Sequence, residues 1–267
     1  MLQRTREFLT LILLALLPFH ALLVTVLTKH LLGAGHAPIA ALSVWKEALL
    51  CVLLVIAMGE IVTMWMRLRK KDREEFLKFD ALDLIILATA LVAVLVSAFT
   101  KTGLGSFLFG VRYDLLAPVA FLILRRVPWS ASFVSSARTL LLTIGALVSL
   151  LALASLFLPF TFFTQLGYSD LHSLYIPGQP IAAFQLIGES AIRRVQGPMS
   201  GPNQLGLWLL LPLALAVFET MRWVRARVFN DRFWRSLLLV LLFSATLFFT
   251  FSRSASLNLA TLSLSSF

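Results

Sequence analysis

Apolar residues fall along this chain in long runs separated by short polar and basic breaks. Crossing a hydrocarbon core takes about 20 helical residues at 1.5 Å each. Runs near that length lie at 8–28, 42–66, 81–99, 107–124, 139–160, 203–220 and 236–251, and an eighth begins near 254. The pattern predicts an all-α fold, a polytopic transmembrane helical bundle with seven full spans and a partial eighth. The first run follows Arg4 and Arg6, as the apolar core of a secretory leader would. It is longer than the roughly 7 to 15 residues of such a core, and no small-residue cleavage pattern follows it, so it is read as a retained span.

The breaks between the runs set the orientation. With a cytoplasmic N-terminus, the inner segments hold Arg4 and Arg6; Arg67, Arg69, Lys70, Lys71, Arg73 and Lys78; Arg125, Arg126 and Arg138; and Arg222, Arg225, Arg227, Arg232 and Arg235, sixteen of the 23 basic residues. The positive-inside rule favours that arrangement. Lys29, Lys46, Lys101, Arg112, Arg193, Arg194 and Arg253 then lie outside or near outer helix ends. The inner connection "RLRKKDREEFLKFD" mixes both charge signs and reads as a solvated face.

No fixed-period repeat or separate soluble domain interrupts the pattern, so residues 1–267 form a single integral-membrane domain. The outer segment 161–202 is too long for an idle loop and too apolar to be freely solvated. It is expected to lie in the membrane interface on Phe162, Phe163, Tyr168, Tyr175 and Phe184, with a short helix over 181–192. At the other extreme, the 14 residues from Ser254 to Phe267 would reach only about 21 Å as a helix and leave carbonyls without partners in lipid. The domain is therefore expected to be incomplete at its C-terminus.

Composition agrees with the pattern. The chain is 59% apolar with a mean hydropathy of +0.90, against roughly 45–50% apolar residues in soluble domains. The net charge of +10 would suggest nucleic acid in a soluble protein. Here the basic residues cluster between apolar runs, so membrane lipids are the expected partner and nucleic acid is not. The lone Cys51 excludes an intrachain disulfide and makes a thiol metal site implausible. His20, His30, His36 and His172 have no ligand spacing, so no metal and no cofactor is expected. Phosphate-loop, zinc-protease, nucleophile-elbow and Cys-x-x-Cys signatures are missing. Gly197 and Gly201 have Gly-x-x-x-Gly spacing, but Pro198 and Pro202 exclude the regular helix that a dimerisation face needs.

What remains is cationic. In "IRRVQGPMSGPNQLGL" the pair Arg193 and Arg194 precedes a bend through Gly197, Pro198, Gly201 and Pro202, and Asn203 is a candidate N-cap for the next helix. The free N–H groups and positive dipole end of that helix would face the same place as the arginines. This combination suits an anion. Arg253, between Ser252 and Ser254, is a second charge at the outer boundary. Arg112 and Asp114 read as an ion pair or an interface anchor, and Glu60 has no assigned role.

The stretch "RVQGPMSGPNQLGLWLLLPLAL" resembles the Arg-x-x-Gly-x-x-x-x-Pro-Asn motif of the O-antigen ligase and polymerase-related membrane proteins, and "TFSRSA" resembles their Thr-x-Ser-Arg motif one span later. The resemblance implies a glycosyltransferase at the outer face of the bacterial inner membrane, acting in lipopolysaccharide and cell-envelope biosynthesis. It would transfer a glycan from a polyprenyl (undecaprenyl) diphosphate carrier to a lipid or saccharide acceptor, without a nucleotide sugar or a metal. Arg194 and Arg253 would be catalytic, gripping the diphosphate. Arg193, Gly197, Gly201, Pro202, Asn203 and Ser252 would shape the substrate site. Members of that family generally continue into a large outer loop that supplies a histidine, followed by further spans; His172 precedes the motif and does not match that position. This chain by itself is thus expected to be inactive. The other readings of the same features are a transporter or flippase for an anionic lipid-linked substrate, and a non-catalytic membrane remnant.

Overall fold

The computed structural model describes residues 2–68, 79–100, 103–169, 179–187 and 192–252. Lys70, Lys71, Arg73, Lys78, His172, Tyr175, Arg253 and the partial eighth run lie outside them. Six helices are long and apolar enough to cross a membrane: α1 (Leu2–Leu32), α2 (Trp45–Arg67), α3 (Ala81–Phe99), α6 (Ala131–Ala154), α8 (Pro202–Arg225) and α9 (Asp231–Thr250). The run expected at 107–124 is helical but interrupted. It is built from α4 (Leu104–Gly110), a π-helical turn (Val111–Leu115) and α5 (Leu116–Leu124). Pro118 sits just after the wide turn; its ring crowds the preceding turn and it has no N–H for the Asp114 carbonyl, which accounts for the local widening.

Side chains are distributed as a hydrocarbon solvent requires. Val55, Phe99, Leu238 and Phe248 are exposed, whereas Arg6, Glu60, Asp83, Ser149 and Thr246 are buried. The chain divides into two compact units, one of Met1–Leu13 and Lys46–Phe133, the other of Leu14–Trp45 and Val134–Phe267.

In the first unit, charge pairs hold elements that are distant in sequence. Arg6 of α1 is fully buried and donates through Nε to Glu60 Oε2 of α2 at 3.1 Å and through Nη2 to the Pro128 carbonyl at 2.6 Å. Its guanidinium lies 4.0 Å from the centroid of the Trp129 ring. Glu60 thereby acquires a structural role. Asp80 and Asp83 form a capping box at the start of α3, and Arg125 and Arg126 at the end of α5 bond to those carboxylates. Arg112 pairs with Glu47 at 2.7 Å, so its carboxylate partner is on α2, and Asp114 is exposed.

In the second unit, α8 and α9 are joined by a short connection over 226–230, and Asn230 caps α9 by accepting from the N–H groups of Arg232 and Phe233. Leu205, Leu209, Leu213 and Ala216 of α8 meet Phe243 and Leu247 of α9 and Val148 and Ala152 of α6 in one core. Gly145 permits the approach of α6: a Cβ there would lie 2.9 Å from Pro212 Cβ and 3.0 Å from Phe243 Cζ. Val195 and Met199, from the bend before α8, complete this core.

The long segment after α6 corrects two expectations. A helix, α7 (Phe160–Leu166), stops at Gly167, whose φ of 99° is left-handed. Further on, β1 (Gln185–Leu186) is antiparallel to β2 (Arg193–Arg194), where a helix over 181–192 was expected. Phe163, Tyr168 and Phe184 pack together at 8%, 6% and 4% exposure, so these rings form a small core of their own and are not lipid-facing anchors. Only Phe162 among the described rings of that set is exposed.

Candidate functional site

The bend between β2 and α8 is fixed on several sides. Gly197 holds a φ of 55°, and a Cβ on it would fall 3.1 Å from Ala152 Cβ and 3.4 Å from the Val148 carbonyl oxygen. Both the left-handed backbone and the close approach to α6 require glycine there. The Val195 N–H donates to the Phe249 carbonyl near the end of α9 at 3.0 Å. The Leu22 N–H donates to the Pro198 carbonyl at 3.1 Å; it is free to do so because a 3-10 turn over Leu17–Phe19 interrupts α1 just before it. Gln196, itself buried, donates through Nε2 to the Ala182 carbonyl at 2.9 Å.

The start of α8 differs from the expected N-cap. Gly201 is the cap residue, in extended backbone and without a side chain to bond the helix, and Pro202 is the first helical residue. Proline favours that position because its missing N–H needs no partner there and its φ is already helical. Asn203 is therefore inside the helix. Its side-chain oxygen faces Arg194 and accepts from Nη2 at 2.8 Å. No side chain caps the helix, so the first N–H groups, on Asn203 and Gln204, have no acceptor among the described residues.

Arg194 is held from four sides by neutral groups. Nε donates to the Thr250 carbonyl at 2.8 Å, Nη1 to Gln185 Oε1 at 3.2 Å, and Nη2 to Asn203 Oδ1 and more weakly to the Phe251 carbonyl at 3.4 Å. No carboxylate among the described residues reaches it. Burial pushes its pKa down from the usual arginine value, yet a guanidinium remains a cation at neutral pH. The result is a positive charge fixed in place with no counter-ion among the described residues.

Arg193 does not share that position. Successive residues of a strand point to opposite faces, and Arg193 donates through Nη1 to the Leu158 carbonyl at 3.1 Å with its guanidinium 4.3 Å from the Phe184 ring centroid. It braces the aromatic cluster, on the face of the strand opposite to Arg194. Gly201 and Pro202 lie at the start of α8 beside Arg194's partner Asn203, and Ser252 is buried with its N–H on Thr250 Oγ1 at 3.2 Å. Arg253 falls outside the described residues. No cluster of metal-ligating side chains occurs among the described residues.

Sequence reasoning passed over Gln185, Thr250 and Gln196. Thr250 opens the Thr-x-Ser-Arg stretch, but its contribution is a backbone carbonyl, which no residue identity announces. Gln185 meets Arg194 through strand register, Gln185↔Arg194, across a turn that includes undescribed residues. Comparison with protein-family models, curated proteins and solved structures returns no match. The class that the fold defines is a multi-pass membrane protein.

Proposed function

We propose that this chain carries the diphosphate-binding part of a membrane glycosyltransferase of the O-antigen ligase and polymerase kind, whose site faces the outer side of a bacterial inner membrane and takes a polyprenyl-diphosphate-linked glycan. One observation carries the reading. Arg194, the first residue of one motif, bonds at once to Asn203, the last residue of that motif, and to the backbone of Thr250 and Phe251 in the other. Two stretches some 50 residues apart in sequence thus meet at one guanidinium, and Arg253 follows Phe251 by two positions.

The chemistry fits an arginine that meets no carboxylate among the described residues. When an acceptor hydroxyl attacks the anomeric carbon, the bond to the diphosphate breaks, its electron pair stays on the phosphate oxygen, and the hydroxyl proton passes to the departing diphosphate or to water. Negative charge there grows toward the transition state, so a fixed cation stabilises that state more than the bound substrate. A guanidinium offers paired N–H groups to a phosphate, and the uncapped start of α8 adds backbone donors. Within this proposal Arg253 is the second cation and the acceptor is a lipid or saccharide. No nucleotide sugar, metal or cofactor takes part.

The test uses farnesyl diphosphate as a short carrier probe on the protein reconstituted in nanodiscs. Arg194→Ala is expected to weaken binding by about a hundredfold, and Arg194→Lys by about tenfold because the fork geometry is lost. Farnesol serves as the uncharged control. Equal binding of the diphosphate by wild type and Arg194→Ala would remove the proposal. Uptake of the same probe into sealed vesicles holding the wild-type protein, abolished by Arg194→Ala, would favour the transporter or flippase.

A further inference from the structure

We infer that Gln185 is a positioning residue: it holds Arg194 through a neutral oxygen, so that the arginine's charge stays available to an incoming phosphate, and it presents its own amide N–H to that same ligand. The inference rests on the anion-binding reading of Arg194 and identifies the residue that keeps this charge free.

Strand register places Gln185 directly across from Arg194, and side chains opposite one another on paired strands share a face. The contact is Nη1 to Gln185 Oε1 at 3.2 Å. A guanidinium only donates, so the amide oxygen must face it and the amide nitrogen must face away. That fixes the amide orientation. Nε2 then carries two N–H groups that meet no acceptor among the described residues. A side chain at Gly201 would come within 3.4 Å of this nitrogen and within 2.6 Å of Gln204 Oε1. Nε2 therefore stands beside the first turn of α8, where the Asn203 and Gln204 N–H groups begin. The nearby oxygen belongs to an exposed side chain and is free to swing away.

The choice of glutamine has an electrostatic meaning. A glutamate of the same shape would accept the same hydrogen bond and add a full negative charge next to the guanidinium. The pair would be tighter, and a phosphate would then have to displace it or bind against repulsion. Glutamine keeps the geometry and leaves the charge unanswered. Of the five N–H groups on Arg194, four hydrogen bonds to neutral acceptors account for all but one, and the remaining one is on Nη1, beside Gln185. A phosphate oxygen at that place would receive Nη1 and Gln185 Nε2 together.

The experiment separates holding from binding. Gln185→Glu and Gln185→Ala are compared with wild type for thermal unfolding and for farnesyl diphosphate affinity in nanodiscs. Gln185→Glu is expected to keep or raise the unfolding temperature while affinity falls by more than about tenfold. Gln185→Ala is expected to lower the unfolding temperature slightly while affinity falls only about threefold to tenfold. Opposite movement of stability and affinity in the Glu variant is the signature, because a merely structural glutamine would make affinity follow stability. Wild-type affinity in Gln185→Glu would overturn the inference while leaving Arg194 as the anion site. A wild type that fails to bind the diphosphate at all would remove both.

Discussion

Four arginines of the first unit and the two of the bend before α8 are built on opposite principles. Arg6, Arg112, Arg125 and Arg126 each reach a carboxylate: Glu60, Glu47, and the Asp80 and Asp83 pair. Among the described residues, Arg193 and Arg194 reach only carbonyls, amide oxygens and an aromatic ring. An ion pair in a water-poor environment neutralises both partners and fastens two helices. An arginine held by neutral dipoles is held in place, less tightly, but still projects its charge. The first arrangement serves assembly and the second suits a ligand, so the absence of a nearby carboxylate says more here than the presence of an arginine.

The strongest way to break this contrast is to remove each kind of arginine in turn. Arg6→Ala strands Glu60, which is only 7% exposed, and is expected to lower stability by about 3–5 kcal/mol. Arg6→Met with Glu60→Leu should restore most of that loss, as read from thermal unfolding in detergent. Arg194→Ala strands no charge, so its folding cost is expected to be about 1–2 kcal/mol, even though diphosphate binding is lost. A folding defect as large as that of Arg6→Ala would erase the distinction. Asn203→Asp is the converse change and gives Arg194 a carboxylate; stability should rise by up to about 1 kcal/mol while probe affinity drops.

The smallest effect belongs to Asp80. Arg125, by hydrogen bonding to it, holds the Asp80 carboxyl down to about 2 from 3.8. A depressed carboxylate stabilises the folded state fully above its unfolded pKa, and the contribution fades as pH falls through the folded value. The pair is exposed, so screening keeps it small. Wild type and Asp80→Asn are therefore expected to differ slightly at neutral pH, and their unfolding temperatures should converge between about pH 4 and pH 2. A gap that persists in acid would assign the difference to something other than this ion pair.

Where the sequence could be read, and where it could not, follows from the range of each interaction. All six membrane-length helices fall on apolar runs, Ala81–Phe99 at both ends and the others with shifted ends, because hydropathy is a local property. The first run extends back over Arg4 and Arg6, since Arg6 has a buried partner 54 positions away that no local window can reveal. The run at 107–124 gave no warning of its π turn beyond Pro118. At the site, Gly197 was legible because a left-handed residue packed against Ala152 leaves room for glycine alone. Asn203 was misplaced by two positions: Pro202 was the better marker of the first helical residue, and it moved the cap to Gly201. Gln185 and the two strands were illegible because the sequence from 181 to 192 has no helix-breaking pattern beyond one glycine, and the extended backbone of Gln185 and Leu186 is imposed by pairing with Arg194 and Arg193.

One further consequence lies at the end of α9. A final helical turn ordinarily frays first, since its last carbonyls have only water to turn to. Here the carbonyls of Phe249, Thr250 and Phe251 accept instead from the Val195 N–H and the Arg194 side chain. Unwinding that turn means detaching the bend, and loosening the bend uncovers the turn. The two behave as one cooperative unit of local opening, so the Val195 amide and those closing α9 should exchange their hydrogens with solvent at a common rate. The cation is thereby mounted on a helix end, and its position is as steady as α9 itself.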